Sequence, residues 1–162
     1  MPSPDASVIT AAVVFMGAML HVMYTDLTQQ RIFNWVILLL LILYFPLAFT
    51  AGYELPAVAM AVGTAMIVFM AGFGFFSAGW LGGGDVKLAA ASALWLGPET
   101  VVSYILWTAI LGSMVTLSIM VLRRKRANET GSSYDPRASL PYGPGMALAA
   151  IILFPQSGWG VM

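Results

Sequence analysis

The fold class predicted for this chain is all-α, a polytopic membrane helix bundle of about six transmembrane helices. Three observations predict it. Hydrophobic residues make up 60% of the 162 and charged ones only 9%, with a mean hydropathy of +0.88. A soluble domain carries about 25% charged residues, so polar groups could not cover a water-facing surface here. Runs of roughly 20 apolar residues, the length that crosses a bilayer, recur along the chain, and the basic residues gather in alternate connections between them.

The first run, 6–24, follows MPSPD, with Asp5 ahead of it and no Lys or Arg. A secretory signal peptide starts basic, so this run is expected to remain as a transmembrane helix. The second and third runs are 33–51 and 56–77. The fourth, 86–97, is short and ends at Gly97-Pro98, which separates it from the fifth, 99–122. These two read as a short helix plus a long one, or as a re-entrant pair. The sixth, 143–160, carries Pro144, Pro155 and several glycines and need not cross completely. No internal repeat is evident, and residues 1–162 are expected to form a single integral-membrane domain.

Charge sets the expected orientation. Arg31 lies between runs one and two, and Lys87 beside the third connection. Arg123, Arg124, Lys125, Arg126 and Arg137 lie between five and six. With six spans all of them fall on one side, and the opposite connections carry only Glu54 and Glu99. The positive-inside rule then puts the basic loops in the cytoplasm and both termini outside. The polar stretch RRKRANETGSSYDPRASLPY, 123–142, reads as a solvated loop of topology charges. A sharper reading is a contact for anionic lipid headgroups or for a substrate tail.

Composition also removes whole classes of chemistry. There is no cysteine and one histidine, so disulfides, thiolate metal sites and a zinc centre are not expected. No cofactor, metal or nucleic-acid partner is expected; the lipid bilayer is. Neither G-x-S-x-G nor H-E-x-x-H occurs, and GFGFF lacks the strand-turn-helix context of a nucleotide loop.

Topology or solvent explains the acids Asp5, Glu54, Glu99, Glu129 and Asp135. Asp26 and Asp85 are left, at the cytoplasmic mouths of helices one and four. Singly they read as an interfacial helix end and an N-cap. Gly82, Gly83 and Gly84 ahead of Asp85 point further, because they strip side chains from the approach to the carboxylate. Two carboxylates brought together share one proton. The ionised one can deprotonate water while the protonated one hydrogen-bonds a scissile carbonyl, which is aspartic-protease chemistry.

The run GGGD, Gly82 to Asp85, leading into VKL, resembles the GxGD signature of membrane-embedded aspartyl proteases. Within that group the chain is similar to the type IV prepilin peptidases, especially the small peptidase-only forms of Flp-type and tight-adherence pilus systems. DLTQQRIFNW resembles the family's D-x5-[IV]-P-N stretch through Asp26, Ile32 and Asn34, and LPYGPGMALA resembles its P-Y-G segment through Pro141, Tyr142 and Gly143. The resemblance implies an aspartic endopeptidase with Asp26 and Asp85 catalytic, cutting basic leaders from prepilin or pseudopilin substrates at the bacterial inner membrane. Phe33 replaces the family proline that starts the second helix. The cytoplasmic domain and paired cysteines of bifunctional members are missing, which puts N-methyltransferase activity in doubt.

Lys87 is expected to snorkel to the interface or to lower an aspartate pKa, and Gln30 and Asn34 to orient the first carboxylate or cap helix two. His21, about 140° from Asp26 around a helix, is expected to be a satisfied polar residue of the bundle. Two other readings remain open at the level of sequence. One is a GxGD protease of the presenilin kind, which carries Tyr before its first Asp where Thr25 stands here. The other is a small proton- or cation-coupled transporter or assembly scaffold.

Overall fold

The computed structural model describes residues 6–130 and 142–159, and among the described residues all regular structure is helical. The helices are α1 (Ala6–Gln29), α2 (Asn34–Thr50), α3 (Leu55–Ser77), α4 (Gly83–Thr130) and α5 (Gly143–Leu153), followed by a 3-10 turn at Phe154–Gln156. Within α4, Gly97 has φ 74° and ψ 175°. No helical residue takes that conformation, so α4 consists of two arms, 83–96 and 98–130.

Each apolar run becomes helix, but not six full crossings. Three stretches, Ala6–Gln29, Leu55–Ser77 and Gly83–Ala127, are long and apolar enough to span a membrane. At 1.5 Å per residue, the 17 residues of α2 rise only about 26 Å and the arm 83–96 about 21 Å. The chain is therefore a helical membrane protein with three clear spans, and its remaining apolar helices are shorter than the sequence reading gave them. Local chemistry cuts them short. At the end of α2, Gly52 adopts φ 84° while its N–H bonds to the Phe49 carbonyl and the Tyr53 N–H reaches back to the Ala48 carbonyl. That pair of bonds around a left-handed glycine is a Schellman stop. Gly79, with Trp80, ends α3 in the same way.

The core lies where α1, α2, the first arm of α4 and α5 meet. Phe15 stacks on Phe154 with ring centroids 4.8 Å apart and tilts against Trp95 at 5.4 Å. Trp95 stacks on Trp159 at 5.4 Å, and the indole N–H of Trp95 donates to the Leu40 carbonyl at 3.0 Å. These two tryptophans are buried, whereas Trp35 and Trp80 are exposed, so the tryptophans divide between packing and interface roles. α5 packs against both α1 and α4. Its Gly145 lies so close to the Gly112 backbone that a Cβ there would collide with main-chain atoms, the close approach that small residues permit between membrane helices. The packing of α5 on α1 brings the N-terminus of α5 to the end of α1.

Candidate active site

Asp26 sits in the last turn of α1, not beyond it, and is 5% exposed. α1 stops immediately afterwards because Gln30 takes a left-handed conformation, φ 53°, with its N–H on the Asp26 carbonyl at 3.0 Å. Glycine or asparagine is the usual residue there; a glutamine in that conformation beside a buried acid is backbone strain at a candidate site. The Asp26 carboxylate accepts the Gly143 N–H on Oδ2 at 3.0 Å. This N–H belongs to the first residue of α5, one of the donors a helix leaves unsatisfied at its positive end. A Cβ at Gly143 would lie 2.8 Å from that same Oδ2, so only glycine lets the two elements meet.

Asp85 reproduces the arrangement from the other side of the sequence. α4 begins at Gly83, which makes Asp85 its third residue and not its N-cap. Its Oδ2 accepts the Gly82 N–H at 3.2 Å, as the third-residue acid of a capping box reaches back to the cap. A Cβ at Gly82 would stand 2.8 Å from Oδ2. In both acids the backbone bond falls on Oδ2, and among the described residues Oδ1 accepts no hydrogen bond.

The two acids line one cavity of about 410 Å³ with Gln30, Asn34, Gly82, Gly84 and Tyr142. It has room for water and for a segment of peptide, a water occupying about 30 Å³. The link 31–33 closes it: Arg31, Ile32 and Phe33 also face the cavity. Sequence reasoning gave Arg31 a topology charge only and missed its place here. The signal available was that the whole connection between Asp26 and Asn34 must fold over the first acid.

Of Gly83, Gly84 and Lys87, only Gly84 lines the cavity. Gly84 allows close approach of the link, since its Cβ would lie 3.2 Å from that of Ile32. Gly83 faces the ring of Phe76 at an ordinary 3.5 Å and does not line the cavity. Lys87 lies outside it too; its ammonium donates to Asn34 Oδ1 at 3.2 Å and so ties α4 to the start of α2. Pro141 falls outside the described residues. His21 packs on Trp35 at 4.9 Å, and its Nε2 is buried without a hydrogen-bond partner among the described residues, contrary to the expectation of a satisfied residue.

A lipid-embedded helical bundle that gathers two acids, 59 residues apart in sequence, into one polar cavity defines a membrane protein with a carboxylate-pair site. The profile of the type IV leader peptidase family matches residues 13–117, a stretch that holds both acids and the link between α1 and α2. The chain belongs to the type IV leader peptidase family and is a peptidase of the membrane. No curated protein and no solved structure matches it.

Proposed function

We propose that the protein is an aspartic prepilin leader peptidase of the bacterial inner membrane, with Asp26 and Asp85 as its catalytic pair and the cytoplasmic face as its place of action. One observation supports this above the others: both carboxylates line the same cavity, each held through Oδ2 by the backbone N–H of a glycine. The Oδ1 atoms are then available to water and substrate.

In this reading the pair holds one proton. The ionised carboxylate takes a proton from a water in the cavity as the hydroxide oxygen bonds to the scissile carbonyl carbon. The protonated carboxylic acid hydrogen-bonds the carbonyl oxygen as it gains charge. Collapse of the tetrahedral intermediate breaks the C–N bond, and the proton taken from water passes to the departing amine. The leader leaves with a new carboxylate, and the mature chain with a new amino terminus.

The substrate class has a physical rationale. A chain with a basic leader in water and an apolar helix in lipid exposes its junction at the membrane edge, where basic loops would put the cavity. In this reading α1, a clear span, supplies Asp26, while the first arm of α4 supplies Asp85 and α5 supplies the Gly143 N–H that holds Asp26. Flp-type pilin substrates and a peptidase-only activity belong to the same proposal, carried by the resemblance of GGGD, DLTQQRIFNW and LPYGPG.

The test is cleavage of co-expressed candidate prepilins. Asp26→Asn and Asp85→Asn are expected to reach wild-type abundance in membranes and to lose cleavage by at least about a thousandfold, the scale of removing a catalytic group. Normal processing by either variant would end the proposal.

A further inference from the structure

The second arm of α4 ends in a feature that the peptidase site does not use. Residues 98–122 rise about 37 Å at 1.5 Å per residue, slightly more than the ~30 Å of bilayer hydrocarbon. A modest tilt therefore places Arg123 at headgroup level. Arg123, Arg124, Lys125 and Arg126 follow without interruption and remain helical. Consecutive residues on a helix are 100° apart, so these four encircle the arm instead of forming a stripe. Arg124, Lys125 and Arg126 are exposed and Arg123 is half-buried. The turn before them presents Val121 and Leu122, each more than 60% exposed. Between the two zones is a recess of about 400 Å³ whose described lining residues are Ile119, Leu122, Arg123, Lys125, Arg126 and Glu129, apolar at its base and, with three cations against one acid among those residues, basic at its rim.

We propose that this collar is a binding site for anionic phospholipid, with the headgroup phosphate on the Arg and Lys side chains and the acyl chains against Ile119 and Leu122. The ring form decides the occupant. A rigid partner approaching from one side would reach about half of the charges, whereas a layer of headgroups meets all of them at one depth. Basic clusters directly beyond a membrane helix attract anionic lipid by the same physics, and the apolar base of the recess adds a reason for a lipid over a soluble anion.

The full-length protein, purified in a neutral detergent, can be analysed by native mass spectrometry with phosphatidylglycerol and phosphatidylcholine of identical acyl chains. Wild type is expected to retain phosphatidylglycerol about tenfold better, four cations each contributing to the attraction, and to lose that preference as salt is raised. The fourfold variant Arg123→Gln, Arg124→Gln, Lys125→Gln, Arg126→Gln is expected to retain both lipids equally. The double variant Arg124→Gln, Lys125→Gln, a milder change should the first not fold, is expected to show an intermediate preference. Equal retention of the two lipids by wild type overturns the proposal, as does an undiminished preference in the variants. Displacement by glycerol phosphate at the lipid's own concentration also overturns it, since the site would then take a free phosphate ester. None of these readings depends on peptidase activity.

Discussion

Gly143 and Gly82 serve two different acids by the same means: each gives up a side chain so that a carboxylate can sit on its N–H. The glycine run 82–84 looks uniform in sequence, yet its members differ in space. A Cβ would meet Asp85 Oδ2 at 2.8 Å from Gly82, Ile32 at 3.2 Å from Gly84, and the Phe76 ring at 3.5 Å from Gly83. None of the three has positive φ, so they supply clearance and not unusual backbone. Alanine substitutions should therefore rank. Gly143→Ala pushes the buried Asp26 carboxylate out of place, and a displacement of about 1 Å at a reacting group costs about a hundredfold in rate. Gly83→Ala makes an ordinary contact and should cleave at nearly the wild-type rate. Initial rates on one prepilin, at matched protein abundance, compare the two; equal losses would detach glycine clearance from catalysis. Asp26 and Asp85 were legible from sequence as the two acids that neither a loop nor a topology charge explained, and both line one cavity. The Gly143–Asp26 bond was not legible by any local pattern, since 117 residues separate its partners and only the α1–α5 packing brings them together.

At the scale of elements, apolar runs located every helix but misjudged where helices end. α1 continues to Gln29 and α4 to Thr130, beyond the runs that stop at 24 and 122. Arg, Lys and Ala, which lead the α4 extension, are strong helix formers, so that helix persists after the hydrophobicity stops; membrane burial and backbone helicity obey different rules. Glycine and proline were the better guide to breaks, and Gly97-Pro98 separates two arms as its composition predicted. The backbone of Gly97, φ 74° and ψ 175°, is a region that only glycine occupies easily. A Cβ there would meet nothing within 4 Å, which isolates the backbone cost from any clash. Gly97→Ala is expected to destabilise the protein by about 1–3 kcal/mol, lowering its thermal midpoint in detergent while leaving the acid pair, at the other end of the first arm, in place. An unchanged midpoint would mean that the arms can straighten or rearrange at no cost.

At the scale of the molecule, helix length bears directly on which helices cross the bilayer. α2 rises about 26 Å and the arm 83–96 about 21 Å at 1.5 Å per residue, both below the ~30 Å of hydrocarbon. Local thinning and snorkelling cost only fractions of a kcal/mol per Å of mismatch. α2, roughly 4 Å short, is therefore expected to cross, while the arm, roughly 9 Å short, is the weaker candidate. The chain has no cysteine, so single cysteines can report each position without background. Thr28, Glu54, Glu99 and Lys125 are all exposed and flank α2 and the two arms of α4. With a membrane-impermeant maleimide, Glu54→Cys and Glu99→Cys should label in intact cells, and Thr28→Cys and Lys125→Cys only once the membrane is opened. Matching labelling of positions 28 and 54 would show that α2 does not cross. Labelling of position 99 from the inside alone would make the first arm re-entrant and leave the second arm to begin on the cytoplasmic side. The acids would still share their cavity in that case, but the basic collar and the site would have to reach the same face by another path, and the charge-based orientation would fall with it.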